Sequence, residues 1–445
     1  MTKNAEILKW VEKKIVLDRF EILDNKNVGE NQTTSEEIGR VPLVYIRSFS
    51  ISYTKLLEVS MECSSFLPTI TVTFNDSDNA FKMLDFPLDQ DLISVFIKPK
   101  STKQQPMRCD FWINRMFGSD IITISGILRV PNMFDDSTFS FYGSSIESVF
   151  KSSRKLGLAF ASNFESSNDM QYWNSYNYNF IKYIDSIKKY SYVDENSWIT
   201  SFIDFFYCLN WLNSELSYAL NTELELGMIT AFNDINKIDK FEAVGSFFLT
   251  NHPNFQESDY GVKIEPTLLQ ENNFDMGHTM TGVSVDMSKS VVNAQNFFVN
   301  NYEHEIYKNL NGRDVNDVLV SKQKWLGIQS SNVHPNFIKS KGQNMMNQRT
   351  FPGLTVTSDG INMEIMRGRR IPMFIVDLNT VETDMANDTP YSSQQERPNM
   401  SEFWSGFYVT SDVKFIWSQN GWKTIAYMSR RQWDVKARKN NFGSK

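Results

Sequence analysis

The sequence predicts a mainly β chain that also carries helices, an α+β protein in which antiparallel β-regions flank a helical stretch. Three observations predict it. Residues 69–74 read Thr-Ile-Thr-Val-Thr-Phe, a strict polar–apolar alternation with the two-residue period of a half-buried strand. Near the other end, 406–416 and 422–428 are strand-like runs separated by Ser418-Gln419-Asn420-Gly421, and Asn-Gly is a strong hairpin signal. Between Phe139 and Asn213 the apolar spacing changes to three and four residues, the period of a helix.

Taken in order, residues 4–20 form an amphipathic helix with Ile7, Leu8, Val11 and Ile15 on one face, and 25–39 are a polar linker without period. From Val41 the period is two. In 69–74, Ile70, Val72 and Phe74 face a core and the threonines face out, while Pro68 is tolerable at a strand start. Residues 91–97 are rich in β-branched side chains, and 111–115 and 121–128 flank a turn at Gly118-Ser119-Asp120. Several antiparallel strands in so short a span suggest a small barrel or sandwich.

In the middle stretch, Ser144 and Glu147 stand at capping-box spacing, Ile146, Val149, Phe150 and Leu156 follow along one helix face, and Gly157 sits where a left-handed cap would close the helix. A second helix holds Phe180, Ile181, Ile184 and Ile187. A third is expected from Trp198 through Ile199, Phe202, Ile203, Phe206 and Leu209, capped by Asn196, with a wide apolar face buried against something large. Strand character returns at 223–231 and 244–249. Residues 251–347 then read as a long insertion rich in Asn, Ser and Met, with a weak helical period from Val291 to Leu310. Strands are expected at 354–356, and a further hairpin joins 361–366 to 371–378 through Arg367-Gly368-Arg369-Arg370.

Composition narrows the function classes. At 41% hydrophobic and 22% charged residues the chain is globular rather than disordered, and its 445 residues allow about three domains. The 34 Phe and 10 Trp suggest large buried or interface surfaces. A net charge of −7 speaks against a protein built to grip nucleic acid and suits a conduit through which DNA slides. The basic tail at 430–445, with Arg430, Arg431, Lys436, Arg438, Lys439 and Lys445, reads as a solvated end or as a dock for an acidic partner. Cys63, Cys109 and Cys208 form no CxxC pair and read as buried small hydrophobes in a reducing cytoplasm. No signal peptide or membrane span is expected.

A search for chemistry yields no catalytic, cofactor or metal residues. The sequence has no phosphate loop, no GxGxxG after a strand, no GxSxG elbow and no zinc spacing among His252, His278, His304 and His334. Glu303-His304-Glu305 would diverge around a helix. Asp135-Asp136 before Ser137 reads as a turn rather than the two spaced carboxyl groups of a glycosidase. Arg367, Arg369 and Arg370 read as a hairpin turn kept in water by its charge, or as a contact for an acidic partner.

The string Phe141-Tyr142-Gly143-Ser144-Ser145-Ile146-Glu147, the Leu156-Gly157-Leu158 after it, and Ser201-Phe202-Ile203-Asp204-Phe205-Phe206-Tyr207-Cys208-Leu209-Asn210-Trp211-Leu212-Asn213 resemble the middle of a tail hub protein. That family is the central baseplate hub of T-even-type contractile-tailed phages, related to the first half of type VI secretion spike proteins. Leu67-Pro68-Thr69 with the 91–97 strand, and the last hairpin with its Ser429-Arg430-Arg431-Gln432-Trp433 end, are similar to the flanking β-domains of that family. The resemblance implies an N-terminal helix and linker at 1–40, a first tube-type antiparallel β-barrel at 41–138, a helical subdomain at 139–221, and a second tube-type barrel at 222–445 that contains the insertion and the tail. It implies a non-enzymatic homotrimer in the virion baseplate, assembled in the host cytoplasm. Each chain would offer two similar barrels, so that a threefold spike meets a sixfold tube. The implied partners are the tail tube or its initiator, the spike, other baseplate proteins, and genomic DNA as passing cargo, with no membrane and no cofactor. Another baseplate or tube component, a tail-borne cell-wall or polysaccharide hydrolase, and a carbohydrate-binding β-protein are the alternatives.

Overall fold

The computed structural model describes residues 41–47, 49–84, 91–98, 107–175, 178–194, 197–218, 247–249, 262–267, 278–286, 293–300, 321–329, 353–363, 365–375 and 406–430. They are mostly β with few helices, and the main sheet is a curled, largely antiparallel half-barrel. The expected helix at 4–20, the linker at 25–39, the strand at 223–231, the Asn196 cap, Glu303-His304-Glu305 and the tail beyond Arg430 lie outside the described residues.

The first β-region contains β1 (Leu43–Ile46), β2 (Phe49–Ile51), β3 (Leu56–Cys63), β4 (Thr69–Asn75), a short helix α1 (Ala80–Leu84), β5 (Leu92–Ile97), β6 (Met107–Phe117) and β7 (Ile121–Leu128). Alternation does what it predicts in β4, where Ile70, Val72 and Phe74 are buried and the threonines between them are half-buried. Opposite them on β7, Ile122, Ile124 and Leu128 are buried on the same face.

The middle stretch begins with β8 (Ser140–Gly143) and α2 (Ser145–Lys155). The Ser144 side chain accepts from the Glu147 amide, and Glu147 reaches back to the Ser144 amide, so the capping box forms as its spacing predicts. Gly157, at φ +72, closes the helix in the left-handed conformation that a side chain would strain. There follow β9 (Ala159–Ser162), β10 (Gln171–Asn174) and α3 (Phe180–Tyr190), the second expected helix.

The third expected helix is not a helix. Residues 198–213 form an antiparallel hairpin, β11 (Ile199–Ile203) and β12 (Cys208–Asn213), followed by a single turn of helix, α4 (Ser214–Tyr218). Two physical causes defeat the periodicity. Asp204 accepts from the amides of Phe206 (2.9 Å) and Cys208 (3.1 Å), and Tyr207 takes φ +57, which together turn the chain at 204–207. The strands are also covered on both faces, so Ser201, Phe202 and Ile203 are all buried and no alternation shows.

The second β-region holds β13 (Phe247–Leu249), β14 (Val262–Thr267), β18 (Gly353–Asp359), β19 (Arg370–Ile375), β20 (Gly406–Ser418) and β21 (Gly421–Ser429). Between β14 and β18 the chain makes a separate sheet of β15 (His278–Asp286), β16 (Asn293–Asn300) and β17 (Ser321–Gln329). β16 replaces the weak helical period expected there, because its Asn-rich run has little helix propensity and β15 supplies a ladder partner. Residues 361–366 are not a strand either. The described ones, 361–363 and 365–366, have no strand pairing and tuck Ile361, Met363 and Met366 into the main core, and β19 pairs β20 instead.

The two β-regions repeat one another. The first runs β3-β4-β7-β6-β5-β1 across the sheet, and the second runs β14-β18-β21-β20-β19-β13. Registers agree as well as order. β6 is bulged between Ile113 and Arg115, and β20 at the matching place between Thr410 and Asp412. Ile113 donates its amide to Asp91 O at 2.8 Å as Thr410 does to Arg369 O at 3.0 Å, and Asp76 donates to Asp120 O as Gly360 does to Trp422 O, both at 2.7 Å. The alignment sets Ile70-Thr71-Val72-Thr73 on Leu354-Thr355-Val356-Thr357, a short trace of the repeat in the sequence itself. One pairing differs: β1–β5 is antiparallel and β13–β19 parallel.

Replacing Ser144 by Ala removes the cap from a helix start that is buried on its Ile146 and Val149 side. We expect a loss of about 1 kcal/mol in urea unfolding, with far-UV dichroism nearly unchanged.

Candidate functional site: the strand junction

β20 is long enough to serve two neighbours on one side. Residues 406–409 pair β19, and Val413–Trp417 pair β3 from Cys63 back to Val59. That second ladder fuses the two β-regions into one sheet, thirteen-stranded among the described residues. Its inner face is apolar throughout: Val59, Met61, Cys63, Val413 and Phe415 are fully buried, and Trp417 nearly so. Each large side chain buried this way contributes roughly 1.5–3 kcal/mol.

The β11–β12 hairpin sits under the junction. Phe205, at its turn, meets Phe415 with ring centroids 5.7 Å apart. The Ile203 amide donates to Phe66 O at 2.8 Å, the Cys63 thiol points at Ile203 O at 3.7 Å, and Tyr207 Oη donates to Asp110 O at 3.3 Å. The loop before β19 closes the joint from the other side. Arg367 lies over the Phe202 ring at 4.7 Å and donates to Ser65 O at 2.7 Å. Gly368, at φ +77, is held by its amide bond to Thr410 O at 2.7 Å, and a Cβ there would come within 2.6 Å of Leu212 Cδ1.

Charge inside the joint is arranged in compensation. Burial raises the Asp204 carboxyl above its ordinary value, against bonds from Asn210, Cys208 and Phe206 and the positive charge of Arg369. Burial likewise raises Asp412, opposed chiefly by Arg367. Burial, with the nearby Asp204, pushes the Cys63 thiol up to about 12, so it is held as a neutral thiol. Half-buried Arg367 is therefore the chief counter-charge to Asp412, while Arg369, which opposes the rise at Asp204 least of its partners, and Arg370 are exposed, as a turn kept in water by its charge requires. Arg370 lies over the Phe407 ring at 4.4 Å. Arg430, expected in a solvated tail, is 2% exposed and lies over the Tyr408 ring at 5.4 Å. Sequence reasoning missed Asp204, whose signal was an Asp two residues before the first amide it binds.

On the opposite face of the sheet a run of hydroxyls recurs in both regions, Thr69, Thr71, Thr73, Thr123, Ser125, Thr355 and Thr357, among isoleucines such as Ile127 and Ile425. Two charge pairs on this face stand opposite each other, Glu62 facing Lys414 and Asp359 facing Lys423, while Glu58 faces Thr73. Asp135 and Asp136 are exposed in an irregular turn, and His278 opens β15, while the other three histidines lie outside the described residues. Among the described residues no group of three or more His, Cys, Asp or Glu is placed to hold a metal, and no helix is long and apolar enough to cross a membrane.

No protein-family model matches the chain, and no curated protein matches it in sequence. Solved structures do. A 43 kDa tail protein of prophage MuSo2 from Shewanella oneidensis is similar over 89% of this chain and 99% of its own, at 8% identity and a TM-score of 0.49. The tail protein from Neisseria meningitidis MC58 is similar over 88% and 97%, at 8% identity and 0.46. The E. coli c3393 protein, a type VI secretion component with structural similarity to T4 bacteriophage tail proteins gp27 and gp5, is similar over 88% and 77%, at 8% identity and 0.39.

Phe202 is fully buried, so Phe202→Ala should cost about 3–5 kcal/mol in urea unfolding through lost burial and a cavity. The two raised carboxyls also set a sign for pH. A raised carboxyl binds more protons in the folded chain than in the unfolded one, so its share of stability falls as pH rises above 3.8 through the raised value. Asp412→Asn should therefore gain on the wild type as the pH is taken from about 4 to 7, measured as the difference between their unfolding free energies.

Proposed function

We propose that the chain is the structural hub of a contractile phage tail, located in the virion baseplate and assembled in the host cytoplasm. Three copies form a ring in which each supplies two equivalent β-regions, one within 41–138 and one within 222–445, with the 139–221 subdomain bracing the joint. Six near-equivalent units from three chains would let a sixfold tube sit on a threefold spike. The observation that carries this reading is the repeat of strand order, register and bulge position between the two regions. A protein without a repeating partner has no need to hold two divergent sequences to one backbone.

The mechanism is geometric and uses no bound cofactor and no catalytic group. The β3–β20 ladder sets the angle between adjacent units inside a chain, and the tube or its initiator, the spike and other baseplate proteins dock on the resulting ring. The hydroxyl face of the sheet would line the channel. Among the described residues its two lysines stand opposite carboxylates and form no basic stripe, which suits a wall that DNA passes without sticking.

Light scattering on the purified chain should report a particle three times the 51.6 kDa chain mass, and electron micrographs should show a threefold ring with six similar lobes. A chain that stays monomeric and releases reducing sugar from cell-wall material would instead establish the hydrolase alternative.

A further inference from the structure

The repeat pairs strand with strand: β3 corresponds to β14, and β20 to β6. Inside the chain, the half of β20 beyond its bulge pairs β3. The corresponding half of β6, Arg115–Phe117, pairs β7 on one side, and among the described residues no strand lies on its other side. The strand that corresponds to β3 is β14, which among the described residues ends the sheet and pairs β18 alone. One chain therefore holds one complete junction and the two separate halves of a second.

We propose that the β6–β7 hairpin tip is the surface that receives the β14 edge of a second copy, a head-to-tail contact that repeats around the ring. This rests on the trimer reading above and names the surface that would make it. Carried over from the Glu62–Lys414 pair, the register sets Phe117 opposite Thr267 of the next copy.

The tip differs from β20 in a way that fits contact with a separate molecule. β20 continues to Ser418, whereas β6 stops at Phe117 and turns. Pro266 of β14, which has no amide hydrogen, stands where β3 has Met61, so a long ladder cannot form there. Side chains compensate. Lys414 and Lys423 of the second region correspond to Phe117 and Ile121, which are 51% and 54% exposed. Lys82 of α1 bonds the Ser119 carbonyl, bringing α1 to the tip with Met83 81% exposed. Two exposed apolar side chains in place of two lysines, with Arg115 over the Phe117 ring at 5.2 Å, mark a surface that another apolar or neutral edge covers.

Two variants of the full chain test this. Phe117→Asp with Ile121→Asp changes only exposed side chains. We expect unchanged far-UV dichroism, and a rise of roughly tenfold or more in the concentration at which the trimer half-dissociates. Phe117→Cys with Thr267→Cys should form intermolecular disulfides under mild oxidation, seen as covalent dimers and trimers on non-reducing gels. Each single variant should stay monomeric on such gels, since Cys63, Cys109 and Cys208 are buried. A trimer that neither cross-links through this pair nor weakens with the aspartates overturns the assignment of the tip and leaves the trimer reading standing. A chain monomeric at every accessible concentration overturns both.

Discussion

The ladder from Val59–Trp417 to Cys63–Val413 joins two strands more than 300 residues apart, and the arrangement of the chain depends on it. Its inner face merges residues of both β-regions into one core: Val413, Phe415, Trp417 and Trp422 belong to the same cluster as Val59, Met61 and Cys63, and to Phe202 and Trp211 of the middle stretch. The rest of the second region packs a smaller core of its own around Leu354, Val356, Tyr408 and Met428. The junction is thus cored by the first region and braced by the β11–β12 hairpin. A close-packed core of this kind, with Phe205 against Phe415, has few alternative packings.

Two units with one backbone need not share one surface. The bulges of β6 and β20 coincide, and the threonine ladder of β4 recurs in β18, so the repeat persists where strands twist and where the solvent face is set. It diverges at the edges, where β20 outruns β6, where charge replaces apolar side chains, and where proline stands in β14. Edges are where neighbours are chosen, and divergence there is compatible with one contact inside a chain and another between chains.

The misread segment at 198–209 shows how sequence and tertiary context compete. Trp198, Ile199, Phe202, Ile203, Phe206 and Leu209 have helical spacing, yet a doubly covered strand can bury any spacing. Asp204 then ends the run by binding two amides two and four residues ahead. The β-branched and aromatic content of Ile-Thr-Ser-Phe-Ile and the Asp at its end were the visible signs of a strand and turn. Arg367 illustrates the same limit. Nothing local says that Asp204 and Asp412 will come close enough to need a counter-charge.

By itself the sequence determined what short-range physics settles: the alternating strands at 69–74 and 121–128, the first helix with its caps at Ser144 and Gly157, the second helix around Phe180 to Ile187, and the hairpins at 111–128 and 406–428. These depend on side-chain period, turn chemistry and capping, all of which act within a few residues. Only the tertiary structure decided that the two β-regions form one sheet, that their registers coincide, and that Arg367, Asp412, Cys63 and Phe202 meet in one joint. Strand pairing at a separation of more than 300 residues leaves no local pattern, because backbone amides and carbonyls are alike at every position. Partner choice therefore rests on burial that exists only once the core has closed.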